Sequence, residues 1–298
     1  MESKFSQWPA IRSRILNSLR VGFALSLVLF TLGFSKTVTA AGHELPRMTI
    51  SVVPQFTAVN IASTWMPLLE RISRLAGIAF ELRHYSSIRE FEEGFLRGDT
   101  DFAYMNPYHA VMAKRAQGYI PLLRNTEPLR GILVVRKNSE IQSVKELSGK
   151  RLAFPSPNAF GASLWMRAFL EKDGITYTPS YVQTHQNVFR SVLLGATVAG
   201  GAIRSTLARE PAEVRSQLRV LFETPPVASH PLGFHPRVSA ALRDRIVAIM
   251  LSMDRDSVDQ KLLAAVGLKS LVEADYKHDY EPLEGFNLQH EVAEQPTK

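Results

Sequence analysis

The sequence predicts an α/β fold in two lobes, and three observations carry that expectation. Short β-rich runs alternate with segments of helical periodicity along most of the chain, the pattern of strands joined by crossover helices. The 298 residues are 45% hydrophobic, enough to bury one large core or two medium ones. No internal repeat or low-complexity tract interrupts the alternation, and it pauses once, near residue 118, before resuming with the strong run "GILVVRKNS".

The first forty residues stand apart. Lys4, Arg12, Arg14 and Arg20 precede fourteen apolar residues, "VGFALSLVLFTLGF", and "TVTAAG" then places Val38 and Ala40 where a signal peptidase needs small residues. Crossing a bilayer takes ~20 apolar residues, so the segment reads as a cleavable signal peptide over 1–40 and not as a retained anchor. Five of the chain's 35 Lys and Arg but only one of its 28 acids lie there, so the net charge of +7 falls to about +3 once it is removed. No basic run interleaved with aromatics remains, which argues against nucleic acid as a partner. The absence of cysteine excludes disulfides, thiolate metal sites and lipidation at an N-terminal Cys, and an exported chain of this kind points to a Gram-negative periplasm.

The elements follow in order. "MTISVVP" is a strand ended by Pro54, and Ile61, Trp65, Leu68, Leu69, Ile72 and Leu75 recur at helical spacing up to Gly77. "IAFELRHY" is a second strand, "SIREFEEGFLRGD" a short amphipathic helix, and "DFAYMNP" a third strand leading into a helix with Pro107 at its first turn. "SVKELSGKRLAFP" pairs Ser143 with Glu146 as a capping box before a new strand. "YTPSYVQT", the helix "NVFRSVLLG", "VAGGAI" and "LRVLFETPP" continue the second lobe, and "HPLGFHPRVS" opens a last strand before the long helix "SAALRDRIVAIMLSMD". Between them, "AFPSPNAFGASLWMRAFLEKDG" starts a helix on small residues. A helix start exposes unpaired N–H groups and partial positive charge, so such a junction either receives an anion or merely lets two elements pack closely.

Taken together, "SVVPQ", "DFAYMNPYHAVMA", "VVRKNSEIQSVKELSGKRLAFPSPNAFGAS", "THQNVFRSVLLG" and "PP…PLGFHPRV" resemble the phosphate/phosphite/phosphonate substrate-binding proteins of ABC transporters over roughly residues 48–250. The resemblance implies a two-lobed type II periplasmic binding protein with lobe 1 over 41–134 plus 230–298 and lobe 2 over 135–229. Its hinge crossovers would lie near Gly131 to Arg136 and Leu218 to Leu232. It implies a small anionic ligand between the lobes, delivered to an inner-membrane ABC permease, or sensed on behalf of a membrane receptor such as a histidine kinase; a monomer with no cofactor is expected.

The same resemblance places Tyr85, Tyr104 and Asn106 on the cleft from the first lobe, and the amides of Ala159, Phe160 and Gly161 with Asn158 and Ser163 from the second. His185 matches the family's binding histidine. Where this family's phosphonate binders carry a Ser-Thr-Ser-like run, this chain has Ala159-Phe160-Gly161, so up to three hydroxyl donors are missing. Arg204 falls near the position of an acidic group in aminophosphonate binders and would favour an anion instead. Each has a plainer alternative: the tyrosines as core, Asn106 as a helix N-cap, His185 as a cap residue and Arg204 as a solvated helix residue. No nucleophile elbow, Walker loop or His-Glu-x-x-His motif is present, and His43, His230, His235 and His278 have no metal-ligand spacing, so neither an enzyme nor a metal site is expected.

Overall fold

The computed structural model describes residues 45–286 and 288, so the expected signal peptide lies outside the described residues. The chain begins β1 (Arg47–Val52), α1 (Ala58–Ala76), β2 (Ala79–Arg83), α2 (Ile88–Leu96), β3 (Phe102–Tyr104), α3 (Pro107–Gln117) and β4 (Ile120–Asn125). It continues with β5 (Gly131–Arg136), β6 (Lys150–Phe154), α4 (Trp165–Lys172), β7 (Tyr177–Tyr181), α5 (His185–Leu193) and β8 (Ala199–Ile203). A short helix α6 (Arg204–Ala208), then β9 (Leu218–Glu223), β10 (Leu232–Phe234) and β11 (Leu271–Glu273) complete the framework.

Local chemistry accounts for the helix starts. Thr57 and Ser87 accept from the backbone N–H groups of Asn60 and Glu90, and Asn106 Oδ1 accepts from His109 N at 2.8 Å. The α1 stripe buries Ile61, Trp65, Leu68, Leu69 and Ile72 against the first sheet.

Two mixed sheets result, ordered β11-β4-β10-β3-β1-β2 and β7-β6-β8-β5-β9. β1 and β6 are the parallel centres, each flanked by two parallel neighbours, as strand-helix alternation predicts. The other five ladders, β10 with β3 and β4, β11 with β4, and β5 with β8 and β9, are antiparallel. β4 and β11 are not anticipated by the sequence pattern: β4 carries Pro121 and β11 is three residues long.

The chain leaves the first sheet after Asn125 and returns at Leu232, so its crossovers are residues 126–130 and 224–231. These are shorter than expected, since β5 and β9 pair along their lengths within the second sheet. Gly131–Val134, expected in lobe 1, therefore belong to the second sheet. The two crossovers pair with each other, Leu129 N donating to Val227 O (2.8 Å) and Val227 N to Leu129 O (3.1 Å).

A π-helical turn, Phe160–Leu164, precedes α4 and sits directly on the second sheet. A Cβ on Gly201 would stand 2.0 Å from Ala162 O, and one on Gly131 2.1 Å from Gly161 O. Those two strands can meet the turn backbone to backbone only because neither residue has a side chain. Gly200 plays the same part for α5, where a Cβ would meet Val188 Cγ1 at 2.4 Å.

Gly201→Ala is therefore expected to lower unfolding free energy by about 3 kcal/mol or more, since a backbone oxygen has nowhere to go. Gly285→Ala, where a Cβ meets nothing within 4 Å, should change it by less than about 0.5 kcal/mol. Urea denaturation of the two variants checks this, and equal effects would contradict the close packing.

Candidate functional site

Residues from both sheets converge on two adjoining spaces beside the crossovers. The inner one is a void of about 10 Å³, roughly one water, bordered by Asn106, Ala159, Phe160, Gly161, His185 and His230. The outer chamber, about 180 Å³, opens to solvent between Tyr104 and His230 on one side and Arg204, Thr206 and Arg209 on the other. Gln55, Leu129 and His230 border both. A larger groove of about 480 Å³ between Asp254 and Lys269 lies away from α4 and α5.

The inner void is small because apolar groups fill it. Phe160 stacks between Tyr108 of α3 (6.1 Å, 10°) and Trp165 (5.3 Å, 13°), and Trp165 in turn stacks on Phe286 (5.5 Å, 21°). Leu129 Cδ2 lies 2.7 Å from where a Cβ on Gly161 would stand. Ala159, Phe160, Ala162, Leu164 and Trp165 accordingly belong to one hydrophobic cluster with the first sheet's core. Ser163 is fully buried, and its hydroxyl has no partner among the described residues.

Polar groups at the inner end are neutral. Burial pushes the His185 imidazole down to about 3. It pushes His230 down to about 3 as well, with His109 and His185 adding to the effect. Thr206 donates its hydroxyl proton to Ile203 O (2.8 Å), so its 3.3 Å contact with His185 Nδ1 requires Nδ1–H to donate. His185 Nε2 is left as a lone-pair acceptor with no N–H to offer an oxyanion. The Gln55 amide nitrogen lies 3.1 Å from His230 Nε2 and donates to it, which places the His230 proton on Nδ1.

Tyr104 stacks on His230 at 5.7 Å and 27°. It is 8% exposed, burial holds its phenol protonated, and its hydroxyl meets no protein partner among the described residues.

Other sequence-predicted residues are engaged elsewhere. Asn106 caps α3, as in its plainer reading, while also bordering the void. Asn158 Nδ2 donates to Glu92 Oε2 (2.9 Å), and Glu92 Oε1 accepts from His109 Nε2 (2.9 Å), a buried link from the second sheet's loop to α2. Tyr85 borders neither space: its ring packs edge-on against Phe91 at 5.9 Å and its hydroxyl occupies the room left by Gly94. Arg204 borders the chamber, but its guanidinium pairs with Glu223, which Arg130 also approaches at 3.4 Å.

Sequence reasoning missed Gln55, Thr206, Arg209 and, at this site, His230. Gln55 and His230 sit at a strand end and a crossover inside segments that carried the resemblance. Arg209 follows α6 with no motif to mark it.

A periplasmic binding protein of the two-lobed type is the class that this fold defines. The chain belongs to the family of phosphonate ABC transporter periplasmic substrate-binding proteins, whose family model matches residues 50–280. That family is one of solute-binding transporter components and not of enzymes, and no described helix is long and apolar enough to cross a membrane. The chain is 22% identical over 185 residues to the phosphate-import protein PhnD of Mycolicibacterium smegmatis, a match covering 59% of this chain and only 56% of that protein. In fold it is similar to PhnD1 of Prochlorococcus marinus, solved with methylphosphonate, at a TM-score of 0.75 and 16% identity over 83% of this chain and 99% of that one. A binding component of an ABC phosphonate transporter from Pseudomonas aeruginosa gives a TM-score of 0.69 at 15% identity, covering 78% and 82% of the two chains.

The depressed histidines make stability depend on pH with a definite sign. Unfolded, each takes up a proton near pH 6.5; folded, each does so only near 3, so the stabilisation is complete above 6.5 and is lost as pH falls towards 3. Between about pH 7 and about pH 5, His185 alone should account for about 2 kcal/mol of lost stability. Urea unfolding should show His185→Asn losing about that much less than wild type over the same interval, and equal losses would contradict a buried neutral imidazole.

Proposed function

We propose that this protein collects a small anion of the phosphate, phosphite or phosphonate class, or a substituted relative, in the space between its two sheets, and delivers it to an inner-membrane ABC permease. Family membership supports transport. The observation that carries the ligand site is the cavity pair at the crossovers, lined by side chains from both sheets, where closing or opening about residues 126–130 and 224–231 changes access. In this reading β1 to β4 with β10 and β11 form one lobe, and β5 to β9 the other.

The residues bear on which anion. The inner end offers backbone N–H groups at the start of the turn, the Asn106 and Gln55 amides and neutral imidazoles, but no Ser or Thr hydroxyl at Ala159, Phe160 or Gly161. Each missing neutral hydrogen bond is worth ~0.5–1.5 kcal/mol, so a bare oxyanion is held one to three orders of magnitude more weakly than by a relative that has all three. Arg204, neutralised by Glu223, no longer argues against an ammonium-bearing ligand.

A thermal-shift screen against phosphate, phosphite, methylphosphonate, aminoethylphosphonate, sulfate and small carboxylates tests the reading. A true ligand at a hundred times its dissociation constant adds about 2.7 kcal/mol of stability and raises the melting temperature by several degrees. The proposal expects at least one phosphorus oxyanion to do so, and no shift with any anion would overturn it. Sensing on behalf of a membrane receptor would use the same closure; stimulation of the partner permease's ATPase by the loaded protein supports transport.

A further inference from the structure

The two spaces differ in electrical character as well as in size. Around the inner void the polar side chains are neutral. The outer chamber carries its charge at the rim, on Glu127, Arg130, Arg204, Arg209 and Lys269, a cationic excess. Two of those cations, Arg130 and Arg204, share the carboxylate of Glu223. Arg209 reaches no carboxylate among the described residues: one nitrogen donates to Ala265 O at 2.9 Å, and the guanidinium lies over the Phe56 ring at 4.3 Å. That arrangement fixes a planar cation beside the chamber and leaves most of its donors unused.

A second, independent observation points into the same space. Tyr104 borders the chamber, is more than nine-tenths buried, and its hydroxyl has no protein partner among the described residues. A phenol hydroxyl facing the chamber can donate to an oxygen of a bound ligand. Leu129, Ala264 and Val266 supply apolar wall to the same chamber.

Resting on the binding function proposed above, we infer that the ligand's anionic group is held by Arg209 in the outer chamber and not at the turn preceding α4. The ligand is then an organic phosphonate or carboxylate with several carbons, its body lying along the apolar wall and an oxygen meeting Tyr104. A bare oxyanion would leave most of the 180 Å³ to water, whereas each added methylene gains burial against that wall.

Calorimetric titration of the purified protein with inorganic phosphate, methylphosphonate and propylphosphonate tests this. Propylphosphonate should bind about tenfold more tightly than methylphosphonate. Arg209→Gln should weaken propylphosphonate at least tenfold, Arg209→Lys less, and Tyr104→Phe about threefold to tenfold, with melting temperatures of the three variants within about 3 °C of wild type. Wild-type binding that Arg209→Gln retains within about twofold would overturn the anchor while leaving the transport reading intact. Tighter binding of phosphate than of propylphosphonate would overturn the ligand class. A wild type that binds none of the three overturns this inference, and the functional proposal falls with it only if the wider anion screen also shows nothing.

Discussion

Much of this molecule depends on one steric condition, the absence of side chains at Gly131 and Gly201. With a Cβ at either position the turn Phe160–Leu164 could not rest its carbonyls on β5 and β8. Because it does rest there, Phe160 is carried forward to stack on Tyr108 across the interface, and Leu129 closes over Gly161. Small residues in "NAFGAS" and "VAGGAI" thus serve close packing first. The bare helix start is bare because another backbone lies against it.

From that packing follow the electrostatics. Excluding water around His185 and His230 disfavours their charged forms by several kcal/mol, and only neutral partners, Thr206 and Gln55, are within reach. An anion arriving at the inner end would meet acceptors and weak donors but no cation. The positive groups stand outside, around a chamber bounded by both crossovers and by Tyr104. In the proposed binding function, affinity and selectivity divide between two places: neutral hydrogen bonding within, charge at the rim. The Glu92, His109 and Asn158 link and the aromatic stack supply contacts between the two sides that need no ligand. Their effect is to hold the two sides together, so in the proposed function ligand affinity reflects what the anion adds to contacts already present.

The fold was largely legible because strand-helix alternation and capping residues leave local marks, as at Ser143 and Asn106. β4 and β11 left none, since a three-residue strand and one containing Pro121 are defined by their partners. At the site, Tyr104, Asn106, Ala159, Phe160, Gly161, His185 and Arg204 all border one or other space. Their chemistry was less legible. Whether a histidine donates or accepts is decided by Thr206, twenty-one positions away, and whether an arginine is available depends on Glu223 across the sheet. Asn158 and Tyr85 were drawn off by Glu92 and Gly94, partners that no linear spacing reveals. Arg209 gains its place from tertiary packing on Phe56.

The central claim, that packing of the turn keeps the inner end neutral, is tested most directly by the imidazole ¹⁵N chemical shifts of His185 and His230 in the ligand-free protein. Both rings should remain in the neutral Nδ1–H form from neutral pH down to about pH 4. Titration of either ring near 6.5, or an Nε2–H form at His185, would contradict the account.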